Sequence, residues 1–299
     1  MAAKKVTKIG FIGLGQMGKH IAKNLMGEDV ELTVCDTSQA QFAAFRAAGA
    51  KTTSKAQDLA GCDVIFLCLP GDDAVKAVLT GEKGLLPLLK RGQMVVDLST
   101  ITYTTTIELA VTLTEKGVAF LDAPISGMES RAKEATLSVM VGGPAKNFAR
   151  IEPYLKRIGN KILHMGLTGS GQLTKLINQL LFDINMAALA EVLPLAVKKG
   201  LDPEKVGQIV NSGTGRSYAS EFFIPQILKS DFSAGYSMRN AYKDLISGAM
   251  IAAKEVIPMP VTMAATVTYQ TALLKGYGNE DKGAMIKVYE DLLGVTYRK

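Results

Sequence analysis

Short runs of apolar residues recur along the first half of the chain, each about as long as a β-strand. They lie at residues 9–12, 32–35, 64–69, 94–96, 119–121 and 137–141. Helical spacing separates several of them, at 40–48, 74–79 and 104–116. Strands that alternate with helices form mostly parallel sheets, which bind ligands at the carboxyl ends of the strands. The pattern therefore predicts a doubly wound α/β domain.

The second half of the chain has a different pattern, because helical spacing continues almost without interruption from about Gly171. One segment, 172–198, would form a helix of about 40 Å at 1.5 Å per residue. Pro194 is expected to kink this helix or to unwind its last turns. We expect the α/β domain over residues 1–166 and an all-α substrate and oligomerisation domain over 167–299, joined by a long helix over about 170–198.

Composition narrows the class of protein. The chain has 299 residues, of which 47% are hydrophobic and 21% charged, as in an ordinary globular protein of two domains. The formal net charge is only +6 and the basic residues are scattered, so we expect no nucleic-acid-binding surface. An anionic small molecule fits this weak positive balance better.

Residue counts argue against several other classes. Three cysteines and two histidines are too few for a disulfide framework or a metal site of the usual kinds. Glycines interrupt the apolar stretch that follows the basic N-terminal residues, so a signal peptide is not expected. The longest apolar run, 64–69, is much shorter than the ~20 residues of a membrane span. We expect a cytoplasmic protein without a metal or a membrane partner.

A glycine-rich loop directly follows the first predicted strand, with the sequence Gly13-Leu14-Gly15-Gln16-Met17-Gly18. In such a loop the first glycine permits a tight turn and the second lets the backbone approach a pyrophosphate. The third lets the next helix pack on the strand. Asp36, after the second strand, could bind the ribose hydroxyls of a dinucleotide or cap the following helix. These features predict a Rossmann-type dinucleotide-binding domain.

Asp36 also bears on the choice of cofactor. A carboxylate repels a 2′-phosphate, and Thr37 and Ser38 follow it where an arginine could have paired with one. The sequence therefore predicts NAD as the cofactor, with NADP less favoured.

Further motifs carry a resemblance to a known family. In chain order they are IGFIGLGQMG at 9–18, CLP at 68–70, DLSTI at 97–101, DAPISG at 122–127, ATLSVMVGG at 135–143, GSGQLTKLINQ at 169–179 and KDL at 243–245. This succession resembles the β-hydroxyacid dehydrogenases, the family of 3-hydroxyisobutyrate dehydrogenase and tartronate semialdehyde reductase. The resemblance implies reversible hydride transfer between a nicotinamide cofactor and a small β-hydroxy acid. We expect a homodimer or homotetramer.

The resemblance also implies roles for individual residues of the α/β domain. Leu69, Pro70 and Thr100 match positions that line the nicotinamide side of the cofactor site. Ser126 and Gly127 match a loop that binds the substrate carboxylate. Ser126 follows a predicted strand at the ligand-binding edge of the sheet, where its hydroxyl and nearby amides could hold a carboxylate. The alternative is a Ser-Gly turn without a ligand.

Three further matches lie in the helical half. Lys175 matches the catalytic lysine of the family, Asn178 its partner, and Lys243 a lysine that closes over cofactor and substrate. Near a helix N-terminus the dipole disfavours a cation, which should lower the pKa of the Lys175 amine. Such an amine accepts a proton from an alcohol and returns it to an oxyanion. The alternatives are a solvated surface lysine at Lys175 and an exposed helix pair at Lys243 and Asp244.

The chain departs from the family pattern beside the substrate loop. Met128, Arg131 and Ala135 stand where members of the family usually have glycine. Met128 adds apolar volume and removes the freedom to adopt positive φ, so the substrate pocket should differ from that of the commonest members.

Two charged residues of the helical half have competing interpretations. The stretches at 212–221 and 286–295 resemble the 2-(hydroxymethyl)glutarate dehydrogenase branch, which handles a dicarboxylate. Arg216 could therefore pair with a second acid group of the substrate, or form a salt bridge between helices or subunits. For Asp281, which matches an acidic family position, we predict a structural cap.

The sequence gives less support to alternative functions on the same fold. Imine reductases usually lack a lysine at the position of Lys175, and 6-phosphogluconate dehydrogenases have much longer chains. A dinucleotide-sensing protein without catalysis would have no need to keep Ser126, Lys175 and Asn178 together.

Overall fold

The computed structural model describes residues 6–298 of the chain. This part divides into two compact units, one ending at Lys175 and the other beginning at Leu176. The division falls inside the helix that was predicted to join two domains, further along than residue 166. The expectation about a signal peptide concerns residues 1–5 in part, and these lie outside the described residues.

The first unit contains a single sheet. Its strands, as far as the structure describes them, are β1 (Thr7–Ile12), β2 (Val30–Cys35), β3 (Lys51–Thr53), β4 (Val64–Leu67), β5 (Met94–Asp97), β6 (Ala119–Asp122), β7 (Ile125–Ser126), β8 (Leu137–Gly142) and β9 (Gly159–Gly166). They are ordered β3-β2-β1-β4-β5-β6-β8-β7, and β9 pairs with β8. The strands from β3 to β6 in this order pair in parallel, and β8 runs antiparallel to β6 and β7. The predicted mostly parallel, Rossmann-type sheet is confirmed.

Helices cover both faces of this sheet. They are α1 (Gly18–Asn24), α2 (Phe42–Ala47), α3 (Asp72–Leu79), α4 (Tyr103–Glu115), α5 (Glu129–Lys133), α6 (Ala145–Leu155) and the start of α7 (Ser170–Lys198). Successive side chains of a strand point to opposite faces. Val64 and Phe66 of β4 accordingly pack in one core, and Ile65 and Leu67 in another. Burial on both faces produces the continuous apolar runs visible in the sequence.

Three strands are absent from the sequence prediction because they carry no apolar run. β3 has the three polar residues KTT, and β7 has only two residues. β9 exposes most of its side chains. These strands form by pairing with β2 and β8, a context that the periodicity of one segment does not contain.

The second unit is helical, as predicted. Besides the rest of α7, it contains α8 (Pro203–Ser212), α9 (Tyr218–Leu228), α10 (Met238–Glu255), α11 (Pro260–Leu274) and α12 (Ile286–Leu293). It has a hydrophobic core of its own, which includes Leu193, Phe223, Leu245 and Tyr269. α7 continues past Pro194 to Lys198, so the predicted unwinding of its last turns does not occur.

Within the described chain, α7 is the helix that is long and apolar enough to cross a membrane. It has 29 residues and a mean hydropathy of 1.8 over its most apolar window, 44% of which is buried. Polar residues such as Gln179 and Asp183 interrupt it, so a search for unbroken apolar runs misses it. Met186, Ala190 and Leu193 of this helix pack in the helical core, and core helices of soluble proteins share this length and composition. The absence of a membrane partner stays a prediction.

The cysteines are free thiols at Cys35, Cys62 and Cys68. Burial raises the pKa of Cys35 and Cys62 to about 11 and that of Cys68 to about 12. Thiols in such surroundings stay protonated near neutral pH and are poor nucleophiles. Among residues 6–298 no cluster of three or more histidine, cysteine or acidic side chains could hold a metal ion.

Candidate active site

The glycine loop forms a turn between β1 and α1 that requires glycine at two positions. Gly13 has a φ of +101°, and a Cβ there would lie 2.2 Å from the backbone oxygen of Cys68. A Cβ on Gly18 would lie 1.8 Å from the backbone oxygen of Gly13. A Cβ on Gly15, by contrast, would meet nothing within 4 Å. This open side fits a pyrophosphate, and the first turn of α1 carries no acidic residue to repel one.

Asp36 follows β2 and contacts the glycine loop. One carboxylate oxygen accepts a hydrogen bond from the Leu14 amide at 2.5 Å, and the other accepts one from the Ser38 amide at 2.7 Å. The bond to Ser38 is local, and α2 begins only at Phe42 without a side-chain cap, so the alternative interpretation of Asp36 as a cap of that helix is wrong. A carboxylate has about four acceptor sites, so these two bonds do not prevent it from accepting hydrogen bonds from a ribose.

The candidates for the nicotinamide side lie on neighbouring loops at the carboxyl ends of β4 and β5. The Leu69 amide donates to Ser99 Oγ at 2.9 Å, and the Ser99 amide donates to Asp97 Oδ1 at 2.9 Å. Pro70 and Thr100, on the same two loops, are exposed. The fold thus brings all three candidates to one edge of the sheet.

Asp97 lies buried beneath these loops and was not among the sequence candidates. It is fully buried, and its Oδ2 has no hydrogen-bond partner. Burial raises the pKa of Asp97 to about 7, and the neighbouring carboxylate of Asp122 adds to the shift. Asp97 and Asp122 are partners in the register of β5 and β6. Two buried carboxylates therefore lie side by side, and the short motifs around them give no sign of it.

Lys175 lies in the second turn of α7, and a carboxylate from β6 holds the start of this helix. Asp122 accepts hydrogen bonds from the amides of Gly169 at 2.7 Å and Gln172 at 2.9 Å. A carboxylate at this position stabilises a helix and compensates for the positive end of its dipole. The compensation weakens the dipole argument for a lowered pKa of Lys175, and that shift stays a prediction.

The side chain of Gln172, one turn before Lys175, contacts the loop after β5. Its Nε2 donates to the backbone oxygen of Ser99 at 2.6 Å, and its Oε1 accepts from the Ile101 amide at 3.3 Å. Only 2% of Gln172 is exposed. Sequence reasoning missed Gln172 and Asp122 because their hydrogen-bond partners are distant in the chain. The partners of Gln172 lie 71 and 73 residues away, and those of Asp122 lie 47 and 50 residues away.

The predicted substrate loop begins where β7 ends. Ser126 pairs with Ser138 of β8, so it belongs to a strand and not only to a turn. Gly127 has a φ of +141°, and a Cβ there would lie 2.8 Å from Leu137 Cδ2. Glycine is therefore required where the chain leaves the sheet. Binding of a carboxylate by this loop stays a prediction.

The remaining candidates belong to the second unit. Asn178 Nδ2 lies 3.3 Å from Gln179 Oε1, and Gln179 Nε2 donates to Asp244 Oδ2 at 3.2 Å. Asp244 is buried whereas Lys243 is exposed, so the two do not form an exposed helix pair. The chain of hydrogen bonds connects Asn178 to the residue next to Lys243.

Arg216 and Asp281 both have local partners in the second unit. Arg216 Nε donates to Glu221 Oε1 at 2.5 Å, and the arginine side chain is 62% exposed. Exposed pairs of this kind contribute only ~0–1 kcal/mol to stability. Asp281 accepts hydrogen bonds from the amides of Gly235 and Gly283, and this is the predicted structural cap. The binding of a substrate acid group by Arg216 stays a prediction.

A buried ion pair in the second unit has no counterpart in the sequence prediction. Lys282 Nζ lies 2.6 Å from Asp183 Oδ1, and both side chains are fully buried. The same ammonium lies 3.4 Å from the centre of the Phe182 ring. Burial raises the pKa of Asp183 to about 6, although Lys282 opposes the shift. The two charges are 99 residues apart in the chain, so no local pattern reveals the pair.

Comparison with known proteins decides the family. The NAD binding domain of 6-phosphogluconate dehydrogenase matches residues 8–166, and the NAD-binding domain of NADP-dependent 3-hydroxyisobutyrate dehydrogenase matches 169–289. The chain is 41% identical over 296 residues to the 2-(hydroxymethyl)glutarate dehydrogenase of Eubacterium barkeri, covering 98% of each chain. This chain belongs to the β-hydroxyacid dehydrogenase family. The expected chemistry, reversible oxidoreduction of a hydroxy acid, is confirmed.

Solved structures of β-hydroxyacid dehydrogenases agree with this assignment. The 3-hydroxyisobutyrate dehydrogenase of Salmonella typhimurium has a TM-score of 0.84 and 28% identity, covering 94% of this chain and 99% of that one. An imine reductase from Pseudomonas sp. has a TM-score of 0.58 and only 20% identity, covering 95% of this chain and 99% of that one. The likeness to the imine reductase therefore concerns the fold alone.

Three residues distinguish this β-hydroxyacid dehydrogenase near its predicted substrate loop. Met128 has an extended backbone, with φ −87° and ψ 177°, so the expected loss of positive-φ freedom has no consequence there. Ala135 instead has a φ of +57°, where a Cβ costs ~1–2 kcal/mol. Arg131 packs beside Gly127 and donates to the backbone oxygen of Thr136 at 2.5 Å. Of the three positions, Ala135 is therefore the one where a side chain replaces glycine at a positive φ.

Glu129 joins the predicted substrate loop to the glycine loop of this β-hydroxyacid dehydrogenase. Its Oε1 lies 2.8 Å from Lys19 Nζ and 2.8 Å from His20 Nε2. Hydrogen bonds from Lys19, His20 and Gln16 lower the pKa of the Glu129 carboxyl to about 2. One carboxylate therefore connects the segments assigned to cofactor and to substrate.

Proposed function

We propose that this chain is an NAD-dependent 3-hydroxyacid dehydrogenase in which Lys175 is the general acid and base. One observation supports the proposal above the others. Within the first unit, Gln172 hydrogen-bonds both sides of Thr100, and Lys175 follows it by one helical turn. The general base is thus tied to the edge of the sheet that has the open glycine loop.

The roles of the chain's own residues follow from this arrangement. A bound nicotinamide supplies the acceptor for the hydride of the substrate carbinol carbon. The Lys175 amine accepts the hydroxyl proton during oxidation and returns it during reduction. The Ser126 hydroxyl and the amides beside Gly127 hold the substrate carboxylate. In the second unit, Asn178 and Lys243 are the further candidates for binding the substrate.

The role of Lys175 is tested by Lys175→Met. Loss of general acid–base catalysis should lower kcat ~10²–10⁴-fold, while the Kd for NAD, measured by titration calorimetry, stays unchanged. Lys198→Met is the matched control, because Lys198 lies in the last turn of the same helix and its Nζ donates to the Leu293 backbone oxygen. A Lys175→Met enzyme with wild-type turnover would exclude the assignment.

The preference for NAD rests on Asp36. Its carboxylate touches the glycine loop, and a 2′-phosphate nearby would meet like charge. At about 4 Å such repulsion amounts to ~1–4 kcal/mol, or at least about fivefold in binding. We expect kcat/KM to be higher with NAD than with NADP, and Asp36→Asn to narrow the gap. A wild-type preference for NADP would refute this proposal. The measurement is needed because one of the two family matches carries the name of an NADP-dependent enzyme.

A second acid group on the substrate is a finer proposal. It is supported by the 41% identity to an enzyme named for 2-(hydroxymethyl)glutarate and by the exposed Arg216 guanidinium. Arg216→Ala should lower kcat/KM for 2-(hydroxymethyl)glutarate more than for 3-hydroxyisobutyrate. Glu221→Gln breaks the ion pair but keeps the cation, and should leave the ratio unchanged. Equal losses on both substrates in Arg216→Ala would overturn the proposal.

A further inference from the structure

We infer that Gln172 is a positioning residue for Lys175, which it aligns with the loop of residues 99–101 beside the cofactor site. The inference rests on the proposed role of Lys175 as general base. It concerns the placement of that base and not its chemistry, so the two are tested separately below.

The Gln172 carboxamide holds the loop at two points. Its amide nitrogen donates to the oxygen of Ser99, and its oxygen accepts from the nitrogen of Ile101, so the residue between them, Thr100, is bracketed. Residues three apart on a helix are neighbours on its surface. Lys175 is therefore attached to the side of α7 that faces the loop after β5.

Asp122 fixes the same turn of α7 from a different strand. Its carboxylate accepts from the amides of Gly169 and Gln172. A Cβ on Gly142 would lie 2.4 Å from Asp122 Oδ1, and one on Gly171 would lie 2.8 Å from Oδ2, so the carboxylate occupies space that a side chain at either position would need. The Asp122 bonds set where the helix starts. The Gln172 side chain supplies a second attachment, which aligns this turn of α7 with the loop of residues 99–101.

This second attachment matters because proton transfer depends strongly on geometry. A general base must come within about 2.6–3.2 Å of the proton-bearing oxygen, and a misplacement of about 1 Å can cost ~100-fold in rate. Without the Gln172 carboxamide, this turn of α7 loses both of the side-chain hydrogen bonds by which Gln172 aligns it with the loop of residues 99–101. Loss of the Gln172 carboxamide should therefore slow the chemical step more than it weakens cofactor binding.

The chain offers a matched control in Gln93. This glutamine precedes β5, at the opposite end of the strand, and its Nε2 donates to the backbone oxygens of Ala60 at 2.8 Å and Cys62 at 2.6 Å. Gln93→Met removes the same chemical group and a similar set of bonds from the same unit. It reports the general cost of losing a backbone clamp without any change beside Lys175.

The experiment measures the single-turnover rate of NADH formation by stopped flow with saturating 3-hydroxyisobutyrate. The rate is expressed per NAD-binding site counted by calorimetry, so an unfolded fraction does not contribute. We expect Gln172→Met to be slower by ~10–100-fold with the Kd for NAD unchanged, and Gln93→Met to have the wild-type rate. A wild-type rate in Gln172→Met overturns the inference, as does an equal loss in Gln93→Met.

Lys175→Met, measured in the same way, separates the two hypotheses. A wild-type rate in that variant contradicts the proposed function itself. A slow Lys175→Met together with a wild-type Gln172→Met contradicts only the positioning role. If Gln172→Met does not bind NAD, Gln172→Ala is measured under the same criteria, since alanine removes both hydrogen bonds to the loop without placing a longer apolar side chain there.

Discussion

Replacing Asp97 by asparagine should make the stability of this protein less dependent on pH. Asp97 is fully buried, with one oxygen bonded to the Ser99 amide and the other without a partner. Burial raises its pKa from 3.8 to about 7, so the folded protein retains a proton that the unfolded chain releases. Asparagine has the shape of the protonated acid but does not titrate.

The sign and size of the effect follow from this shift. A pKa that is higher in the folded state means that stability falls as pH rises, because the unfolded chain loses its proton first. The shift of about three units corresponds to ~4 kcal/mol in total at 1.36 kcal/mol per unit. About two of those units lie above pH 5, so between pH 5 and pH 8 the wild type should lose ~3 kcal/mol more than Asp97→Asn.

Urea unfolding at pH 5, 6, 7 and 8 measures the free energy of unfolding of both proteins. The gap between them should widen with pH in favour of Asp97→Asn and level off above pH 7. Asp122 and Asp183 also have raised pKa values, but both proteins contain them, so their effects largely cancel in the gap. Asp231→Asn serves as the control, because hydrogen bonds from Ser233 lower the pKa of that carboxyl, so it is ionised in the folded and unfolded states alike above pH 5 and adds no slope there. A gap that stays constant from pH 5 to pH 8 would refute the reasoning.

Three further substitutions test other features. Val256 ends α10 with φ +56° and is 85% exposed, so Val256→Gly should raise the free energy of unfolding by about 1 kcal/mol in urea; no gain would contradict backbone strain. Lys282→Met leaves the buried Asp183 carboxylate unpaired and should lower that free energy by ~3–5 kcal/mol; a loss below about 1 kcal/mol would mean that the pair is not buried in solution. Glu129→Ala removes the link from the predicted substrate loop to α1 and should raise the KM of the hydroxy acid more than that of NAD; unchanged KM values would show that the link has no role in binding.

The sequence predicted the parts of the fold whose signal is local. β4 and β5 are buried on both faces, so each appears as an unbroken apolar run. The glycine loop was predictable for the same reason, since its conformation and the packing of α1 depend on residues close together in the chain. β3 and β7 consist of three and two residues, and they exist only through pairing with neighbours.

The rest of the candidate site depends on contacts between distant segments. Asp122 and Gln172 stand in the motifs at 122–127 and 169–179, but the motifs do not reveal their partners, which come from the start of α7 and from the loop after β5. Lys282 stands in the polar segment GNEDKG and would pass for a surface lysine, yet it is fully buried against Asp183. Burial of this kind follows from the packing of helices and not from any spacing that the sequence displays.

The protonated state of the three thiols has a practical consequence for labelling this enzyme with fluorophores. Alkylating reagents such as maleimides react with the thiolate form, and the pKa values of Cys35, Cys62 and Cys68 lie at about 11 to 12. All three native cysteines belong to the first unit. A cysteine introduced at an exposed position of the second unit should therefore take up a fluorophore selectively in the folded protein. Distance measurements with such labels need no cysteine-free background, so the native core is left unaltered.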